Sequence, residues 1–327
     1  MKRVGNLYES IADMENLREA FLRASRHKNQ KLEVKNFRMA LDYNLMSLHN
    51  KIVSGTYMFG KYQYFRIFDP KERVICAASF EERVVQHAMM RILHAILDNY
   101  QINNSYACRL GKGTYKALER AMSYTRKYKW FVKLDVKKYF DSIDHDILYK
   151  QILRLIKDKV VLKLMFQLIE SYSVEPGKGI PIGNLSSQYF ANHYLSVVDH
   201  YILEQVNAHA YVRYMDDILI FGKSSEEVKY YSSLLRKYVE DNLKLNLHFP
   251  VINRTYFGVP FLGYVVYPYY LRLSQRSKKR YKKKIENMEY MLHRGTISET
   301  ECLQRFCSMY SFVQKANAKS FNQCIFS

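Results

Sequence analysis

Three aspartates lie beside short apolar segments, and their type and placement suit metal-ion chemistry. Asp135 lies near the end of segment 131–136, and Asp216 and Asp217 occupy a tight turn within segment 211–221. Mg²⁺ prefers hard oxygen ligands and usually keeps waters and substrate phosphates as its remaining ligands. Two such ions about 3.5–4 Å apart hold the attacking and leaving oxygens of a phosphoryl displacement. An Asp-Asp pair is also common in ordinary hairpin turns, so these residues alone leave both interpretations open.

The segments that must position these aspartates alternate between helix and strand patterns. Apolar residues at helical spacing predict helices over 7–53, 79–98, 145–156 and 185–204. Apolar, partly alternating residues predict strands over 62–68 and 131–136 and a pair of short strands over 211–221. Ser224 and Glu227 have the spacing of a capping box, which predicts the start of a further helix. This alternation indicates an α+β fold.

The charge balance points to a polyanionic partner. Lys and Arg total 51 against 31 Asp and Glu, which gives a formal net charge of +20, and segment 272–284 alone carries eight Lys or Arg. Such an excess is typical of proteins that bind nucleic acid or an anionic membrane surface. The 48% apolar and 15% aromatic residues supply a full core, which excludes wholesale disorder.

Nothing in the sequence indicates a membrane or secretory protein. The N-terminal residues lack the apolar centre of a signal peptide, and no stretch approaches the roughly 18 uncharged apolar residues of a membrane span. The five cysteines include no CxxC pair, so neither a disulfide framework nor a zinc ribbon is supported. We expect no membrane contact and a reducing, cytoplasmic location.

Five motifs, in collinear order over about 60–270, resemble those of reverse transcriptases. Segment 131–141 resembles the first catalytic motif, 214–217 the YxDD hairpin, 179–188 the template-contact motif, 106–114 an FRPGRS-like segment of intron-type enzymes, and 261–264 the primer grip. The resemblance implies a right-hand polymerase with an antiparallel palm sheet and a helical thumb. The fingers, with an N-terminal helical extension, would span 1–130, the palm 131–265 and the thumb 266–327.

The resemblance also assigns roles around the active site. Asp135, Asp216 and Asp217 would be catalytic and, with the main-chain carbonyl of Val136, would hold two Mg²⁺ ions, for which Mn²⁺ is a candidate substitute. Arg73 best matches the arginine that grips the triphosphate, and either Arg66 or Lys71 would be the second cation. Phe140 matches the steric gate that clashes with a ribose 2′-hydroxyl. A solvated charged hairpin and simple core packing of Phe140 are the alternatives.

The template-contact motif departs from the common form. Most reverse transcriptases have Gln before the glycine and Pro after the serine, whereas this chain has Ile182, Gly183 and Gln188 in an IGNLSSQ segment. This form resembles the enzymes of diversity-generating retroelements, which misincorporate opposite template adenines. An isoleucine offers the nucleotide only van der Waals contact, and losing a polar constraint reduces discrimination between right and wrong pairs. A neutral packing change is the alternative.

The remaining expectations concern nucleic acid and partners. The basic residues expected on the template–primer backbone are Arg109, Lys112, Lys278, Lys279, Arg280, Lys282, Lys283 and Lys284, although a solvated charged helix face is the alternative. The resemblance implies template RNA, a nucleic-acid primer, deoxynucleoside triphosphates and an accessory variability protein as partners. The expected function is an RNA-directed DNA polymerase that is error-prone at template adenines. An ordinary intron- or retron-type enzyme and a non-catalytic RNA-binding scaffold are the alternatives.

Overall fold

The computed structural model describes residues 2–68 and 72–316. Fourteen α-helices and nine β-strands alternate in this part of the chain, and every strand pair within its three sheets is antiparallel. The expected α+β fold is therefore confirmed. No helix within these two ranges combines the length and the apolar character needed to cross a membrane.

The first third of the described chain is mainly helical and carries one hairpin. Its helices are α1 (Tyr8–Ala12), α2 (Met14–Ser25), α3 (Leu32–Met39), α4 (Leu41–Val53), α5 (Phe80–Asn99) and α6 (Thr114–Lys127). Strands β1 (Tyr62–Ile67) and β2 (Arg73–Ala78) form the hairpin between α4 and α5. The helices predicted over 7–53 and 79–98 and the strand over 62–68 are confirmed, with the first region divided into four helices.

The middle of the chain builds the sheet that bears the aspartates. Its strands are β3 (Trp130–Leu134), β4 (Tyr211–Tyr214), β5 (Asp217–Gly222) and β6 (Val251–Arg254), in the spatial order β4-β5-β3-β6. Its helices are α7 (Tyr139–Ser142), α8 (His145–Leu153), α9 (Lys159–Glu170), α10 (Leu185–Tyr194), α11 (Ser196–His200) and α12 (Ser225–Leu243). The single helix predicted over 185–204 is wrong in detail: Leu195, with ψ −5°, separates α10 from α11, and a π-helical turn (Tyr201–Gln205) follows.

The last part of the described chain combines a small sheet with two helices. Strands β7 (Val259–Phe261), β8 (Tyr264–Val266) and β9 (Leu271–Leu273) form the sheet. The helices are α13 (Gln275–His293) and α14 (Glu299–Gln314). The start of α13 is bonded to the β7–β8 turn, because Ser277 Oγ donates to the Gly263 carbonyl at 2.7 Å. The helical character expected within segment 266–327 is present in α13 and α14, as far as Gln314.

Side-chain caps explain why half of these α-helices begin where they do. Seven helices of the described chain have a Ser or Asp at the N-cap whose side chain accepts a backbone N–H of the first turn: Asp13, Ser79, Asp144, Asp158, Ser224, Ser274 and Ser298. Such caps satisfy N–H groups that have no partner within the helix. The predicted Ser224 cap is confirmed, but Glu227 accepts from the N–H of Lys223 rather than from that of Ser224.

The four-stranded sheet separates two hydrophobic cores. Val132 and Leu134 of β3 point into the larger core, which the N-terminal helices and α12 complete. Phe131 points to the opposite face, where α6 and the small sheet β7–β9 cover it. Because side chains alternate along a strand, β3 is packed on both faces and its C-terminal end is held firmly. Asp135 is the next residue.

The N-terminal segment is attached to α9 through one carboxylate. Asp158 accepts from the backbone N–H groups of Leu7 and Tyr8 as well as from those of Val160 and Val161. Partial burial acts to raise the pKa of Asp158, but the hydrogen bonds to its charged form outweigh this, so the pKa lies below the ordinary value. The carboxylate therefore caps α9 and fixes the chain entering α1 at the same time.

Candidate active site

The sheet brings the three aspartates to one edge. Leu134 of β3 pairs with Ile218 of β5, so Asp135, one residue further, lies opposite Asp217. Strands β4 and β5 close a two-residue turn in which Tyr214 pairs with Asp217, and Met215 in that turn has a left-handed φ of +57°. The sequence-based expectation that 211–221 folds as two strands around the Asp-Asp pair is confirmed.

The carboxylates are partly buried and close enough to influence one another. Burial first, and then the negative charge of Asp135, raise the pKa of Asp216 to about 6, against the opposing charges of Arg73 and Lys133. Burial also raises the pKa of Asp217 to about 6, with Lys133 opposing and the charges of Asp135 and Asp216 adding to it. Like charges held together in a site of low polarity favour protonation unless positive charge is supplied.

A lysine supplies part of that charge. Lys133 Nζ lies 3.1 Å from Oδ1 and 3.2 Å from Oδ2 of Asp217 and donates a hydrogen bond to Oδ2. Oδ1 of Asp217 is buried, and within the described residues it has this ion-pair contact but accepts no hydrogen bond. Sequence reasoning missed Lys133. Its position two residues before Asp135 was the available signal, because residues two apart on a strand face the same side.

The donor set suits a hard divalent cation, although it is not a closed metal site. Among residues 2–68 and 72–316, no three His, Cys, Asp or Glu side chains converge in metal-binding geometry. The mutually repelling carboxylates, including the buried oxygen of Asp217 that accepts no hydrogen bond within the described residues, are nevertheless the oxygen ligands that Mg²⁺ prefers. The main-chain carbonyl of Val136 is the fourth expected ligand. Val136 is buried, and the residues on either side of it form backbone hydrogen bonds with segment 246–248.

The β1–β2 hairpin separates the two candidate arginines. Ile67 pairs with Arg73 and Arg66 with Val74, so the side chains of Arg66 and Arg73 leave the hairpin on opposite faces. The charge of Arg73 acts on Asp216, whereas Arg66 donates to the exposed carboxylate of Glu72 at 3.0 Å. This arrangement favours Arg73 as the cation beside the aspartates. Lys71 lies outside the described residues.

The hairpin is hydrogen-bonded directly to the template-contact segment. The backbone N–H of Cys76 donates to the Ile182 carbonyl at 2.9 Å, and the N–H of Ala78 donates to Asn184 Oδ1 at 3.1 Å. Gly183 lies between them with φ +115°, and a Cβ there would be 2.8 Å from Ile75 Cγ2. Sequence reasoning missed Asn184, for which no local pattern signals a partner more than 100 residues away.

The other residues of this segment lie on the open side. Ile182 is half-buried, whereas Gly183 and Gln188 are exposed. Gln188 Oε1 accepts a hydrogen bond from Cys108 Sγ at 3.4 Å.

Phe140 is half-buried, and its carbonyl accepts from the N–H of Ile180 at 2.9 Å, so the first motif and the template-contact segment are directly connected.

The structure gives Arg109 and Lys112 partners within the protein. The Arg109 side chain is only 10% exposed, pairs with Asp98 at 2.6 Å and donates to the carbonyls of Ile102 and Ser105. Its guanidinium therefore anchors its own loop. Lys112 Nζ donates to the carbonyl of Asn103 at 2.8 Å, and the residue is half-buried. A role for either in nucleic-acid binding stays a prediction.

The basic residues of α13 form an outward face on a helix that is anchored on the other side. Ser277, Tyr281, Ile285 and Met288 are its buried residues, at spacings of three to four. The exposed basic residues between them are Lys279, Arg280, Lys282, Lys283 and Lys284, while Lys278 is half-buried. Lys282 lies 3.9 Å from Glu286, a contact too long to neutralise this face. The face is therefore a strongly positive surface.

Comparison with known proteins agrees with this geometry. Residues 68–265, more than half of the chain, match the family model "Reverse transcriptase (RNA-dependent DNA polymerase)". The chain is 27% identical over 172 residues to the COX1/OXI3 intron 1 protein of Saccharomyces cerevisiae, covering 50% of this chain and 21% of that protein. It is 28% identical over 140 residues to the group II intron-encoded protein LtrA of Lactococcus lactis, covering 41% and 23%. It is 23% identical over 255 residues to protein YkfC of Escherichia coli, covering 64% and 66%.

Solved structures agree at the level of the fold. Telomerase from Candida albicans in complex with a telomeric RNA fragment superposes with a TM-score of 0.50 at 13% identity, over 82% of this chain and 61% of the telomerase chain. The chain thus spans only part of the intron proteins and of telomerase. The matched region 68–265 contains strand β2 with Arg73, the three aspartates and the template-contact segment. This chain therefore belongs to the reverse transcriptase (RNA-dependent DNA polymerase) family.

Proposed function

We propose that the protein is an RNA-directed DNA polymerase that extends a primer on an RNA template with deoxynucleotides. The observation that carries this proposal is the joining of Asp135 and the Asp216-Asp217 turn at one sheet edge, where the charge of Asp135 raises the pKa values of Asp216 and Asp217 and the charge of Arg73 opposes this at Asp216. A non-catalytic scaffold would not need partly buried carboxylates that repel one another. The fingers, palm and thumb boundaries at 130/131 and 265/266 and the cytoplasmic location stay predictions.

Different residues of the chain would have different roles in the reaction. Asp135, Asp216, Asp217 and the Val136 carbonyl would hold two divalent ions, Mg²⁺ or Mn²⁺. Bound there, these ions would lower the pKa of the primer 3′-hydroxyl and neutralise charge on the triphosphate. Arg73 would hold a phosphate oxygen of the incoming nucleotide through a charge-assisted hydrogen bond. The positive charge of Arg73 acts to lower the pKa of Asp216, so Arg73 is on the face of the hairpin that influences the aspartates.

Sugar and base selection would fall to the neighbouring segments. The Phe140 ring, on the chain that leaves the Asp135 motif, would block a 2′-hydroxyl and so select deoxynucleotides. Gly183 leaves backbone open beside the hairpin, and Ile182 and Gln188 flank it where template and nucleotide would meet. Along the primer–template duplex, the basic face of α13 would bind phosphates by counterion release.

Primer extension on a defined RNA template with Mg²⁺ tests the polymerase proposal. We expect synthesis by the wild-type protein and none by Asp216→Ala, with RNA binding retained by both. Binding without synthesis in both proteins, measured with the cognate RNA and any accessory protein present, would favour the scaffold instead.

We propose further that the enzyme is of the diversity-generating type and misincorporates opposite template adenines. Support comes from Ile182, which stands where most family members have Gln, and from its half-buried position beside the hairpin. An aliphatic side chain there cannot form the polar contact that would help to reject a wrong pair. The expected partners are the template RNA, deoxynucleoside triphosphates and an accessory variability protein.

Sequencing of individual cDNA products separates this proposal from an ordinary intron- or retron-type enzyme. Errors concentrated opposite adenine, and reduced in Ile182→Gln, are expected. Low and evenly distributed errors would leave the polymerase activity in place and contradict the diversification function.

A further inference from the structure

A charged residue three positions before Asp216 is completely buried. Arg213 in β4 is 0% exposed, and its guanidinium pairs with the equally buried carboxylate of Asp199 in α11. The pairing is bidentate, with Nε 2.7 Å from Oδ1 and Nη2 2.5 Å from Oδ2. Tyr211 also donates its hydroxyl to Asp199 Oδ1 at 2.6 Å.

The other N–H groups of Arg213 reach the catalytic turn and the helix that carries Gln188. Nη1 donates to the carbonyl of Met215 at 3.1 Å and to Oδ1 of Asn192 at 2.8 Å. Nη2 donates to Gln101 Oε1 at 3.0 Å and to the Asn192 carbonyl at 3.2 Å. One planar group thus joins β4, the turn after it, α10, α11 and the segment that follows α5.

Asn192 extends this connection in two directions. Its side chain donates to the Ala107 carbonyl at 2.8 Å, next to Cys108, which bonds Gln188. Within α10, Asn192 lies four residues after Gln188, so the two side chains share a helix face. The guanidinium therefore connects the turn with Asp216 to the segment that would meet the nucleotide.

Stability alone does not account for a buried ion pair of this kind. Replacing such a pair by apolar residues of similar volume is often neutral or stabilising, because desolvation offsets the attraction between the charges. An apolar pair could not, however, donate to the Met215 carbonyl. That carbonyl belongs to the left-handed residue whose conformation sets the direction of the following Asp216 side chain. A non-glycine residue holds such a conformation only when its surroundings fix it.

We propose that Arg213 is a positioning residue of the active site. Its guanidinium fixes the Met215 carbonyl, and through it the Asp216 carboxylate, relative to α10, while Asp199 and Asn192 orient the guanidinium. This inference rests on the proposed polymerase function. It assigns a catalytic consequence to residues that touch neither primer nor nucleotide.

Three variants, assayed by steady-state primer extension and thermal melting of the full chain, test it. The double variant Arg213→Met with Asp199→Leu keeps volume and removes both charges. Arg213→Lys retains a cation for Asp199, but one ammonium cannot also reach Met215 and Asn192 in the geometry of the guanidinium. Tyr211→Phe is the matched control, because it removes a buried hydrogen bond to Asp199 and leaves the Arg213–Met215 contact intact.

We expect a split between kcat and KM. Arg213→Lys and any folded double variant should lose about 100-fold in kcat, the scale of a 1 Å misplacement, with the KM for deoxynucleotide little changed. Tyr211→Phe should lower the melting temperature yet retain kcat. Wild-type kcat in Arg213→Lys, or an equal loss of kcat in Tyr211→Phe, would overturn the inference. A wild-type protein that synthesises no DNA would overturn the proposed function as well as this inference. Synthesis by the wild type is therefore measured before the variants are compared.

Discussion

Gly183→Ala tests how tightly the hairpin and the template-contact segment are joined. Gly183 has φ +115°, and an added Cβ would be 2.8 Å from Ile75 Cγ2. The optimum separation of two carbon atoms is about 3.5–4.0 Å, so one of the two segments must move by roughly 0.7 Å or more. The direct consequence is a shift of β2, the strand that carries Arg73.

The cost can be estimated from two contributions. A non-glycine residue in such a backbone conformation costs about 1–3 kcal/mol, and overpacking at a close contact costs about 1–3 kcal/mol. Moving β2 away relieves the overlap but weakens the hydrogen bond from Cys76 to the Ile182 carbonyl, worth about 0.5–1.5 kcal/mol. We therefore expect Gly183→Ala to lower the free energy of unfolding by about 2–4 kcal/mol, toward the low end of the two summed contributions because part of the overlap relaxes.

Gly177→Ala is the matched control for this variant. Gly177 also has a positive φ, +72°, but nothing lies within 4 Å of an added Cβ. Gly177→Ala should therefore lower the free energy of unfolding only by the backbone contribution, about 1–2 kcal/mol. Denaturant unfolding gives both free energies, and single-nucleotide incorporation gives the KM for deoxynucleotide, which should rise in Gly183→Ala only. Equal stability and equal KM in the two variants would refute the close coupling of hairpin and segment.

Three further predictions address other parts of the molecule. Because the pKa of Asp158 is lowered in the folded protein, its stabilisation is present above the unfolded pKa and is lost as pH falls through the folded pKa. Asp158→Asn should therefore cost about 1 kcal/mol at pH 7, after discounting for solvent screening, and nothing at the acid end of the same pH series of unfolding curves. Phe140→Ala should reduce the preference for deoxy- over ribonucleotides by about tenfold or more, measured as a ratio of kcat/KM values; an unchanged ratio would assign Phe140 to packing alone. Lys279→Ala with Lys283→Ala should reduce the slope of log affinity against log salt by about 2 in RNA–DNA duplex binding, and an unchanged slope would show that this face of α13 does not contact phosphates.

Local features of the fold were predictable because they depend on neighbours in sequence. The Ser224 cap, the β4–β5 turn and the strand before Asp135 each leave a pattern within a few residues. The antiparallel pairing that sets Asp135 opposite Asp217 could be expected only through the resemblance, since strand order is a property of the whole chain.

What the sequence did not predict consists of long-range polar contacts. Asn184 accepts from Ala78, and Arg109 pairs with Asp98 instead of pointing outward. A basic residue has the same appearance in sequence whether its charge is solvated or paired with a carboxylate, so the ion pair of Arg109 could not be predicted. Arg213 is the extreme case, because no pattern around it in the sequence reveals its buried partner Asp199.

We propose that the three aspartates hold the metal ions for DNA synthesis on an RNA template. The most direct test is Mg²⁺-dependent primer extension by wild type, Asp216→Asn and Asp241→Asn, where Asp241 is an exposed residue of α12 remote in sequence from the site. The substitution removes one carboxylate charge with almost no change in volume. We predict full synthesis by wild type and Asp241→Asn and none by Asp216→Asn, with RNA binding equal in all three. Undiminished synthesis by Asp216→Asn would contradict the assignment of this sheet edge as the active site.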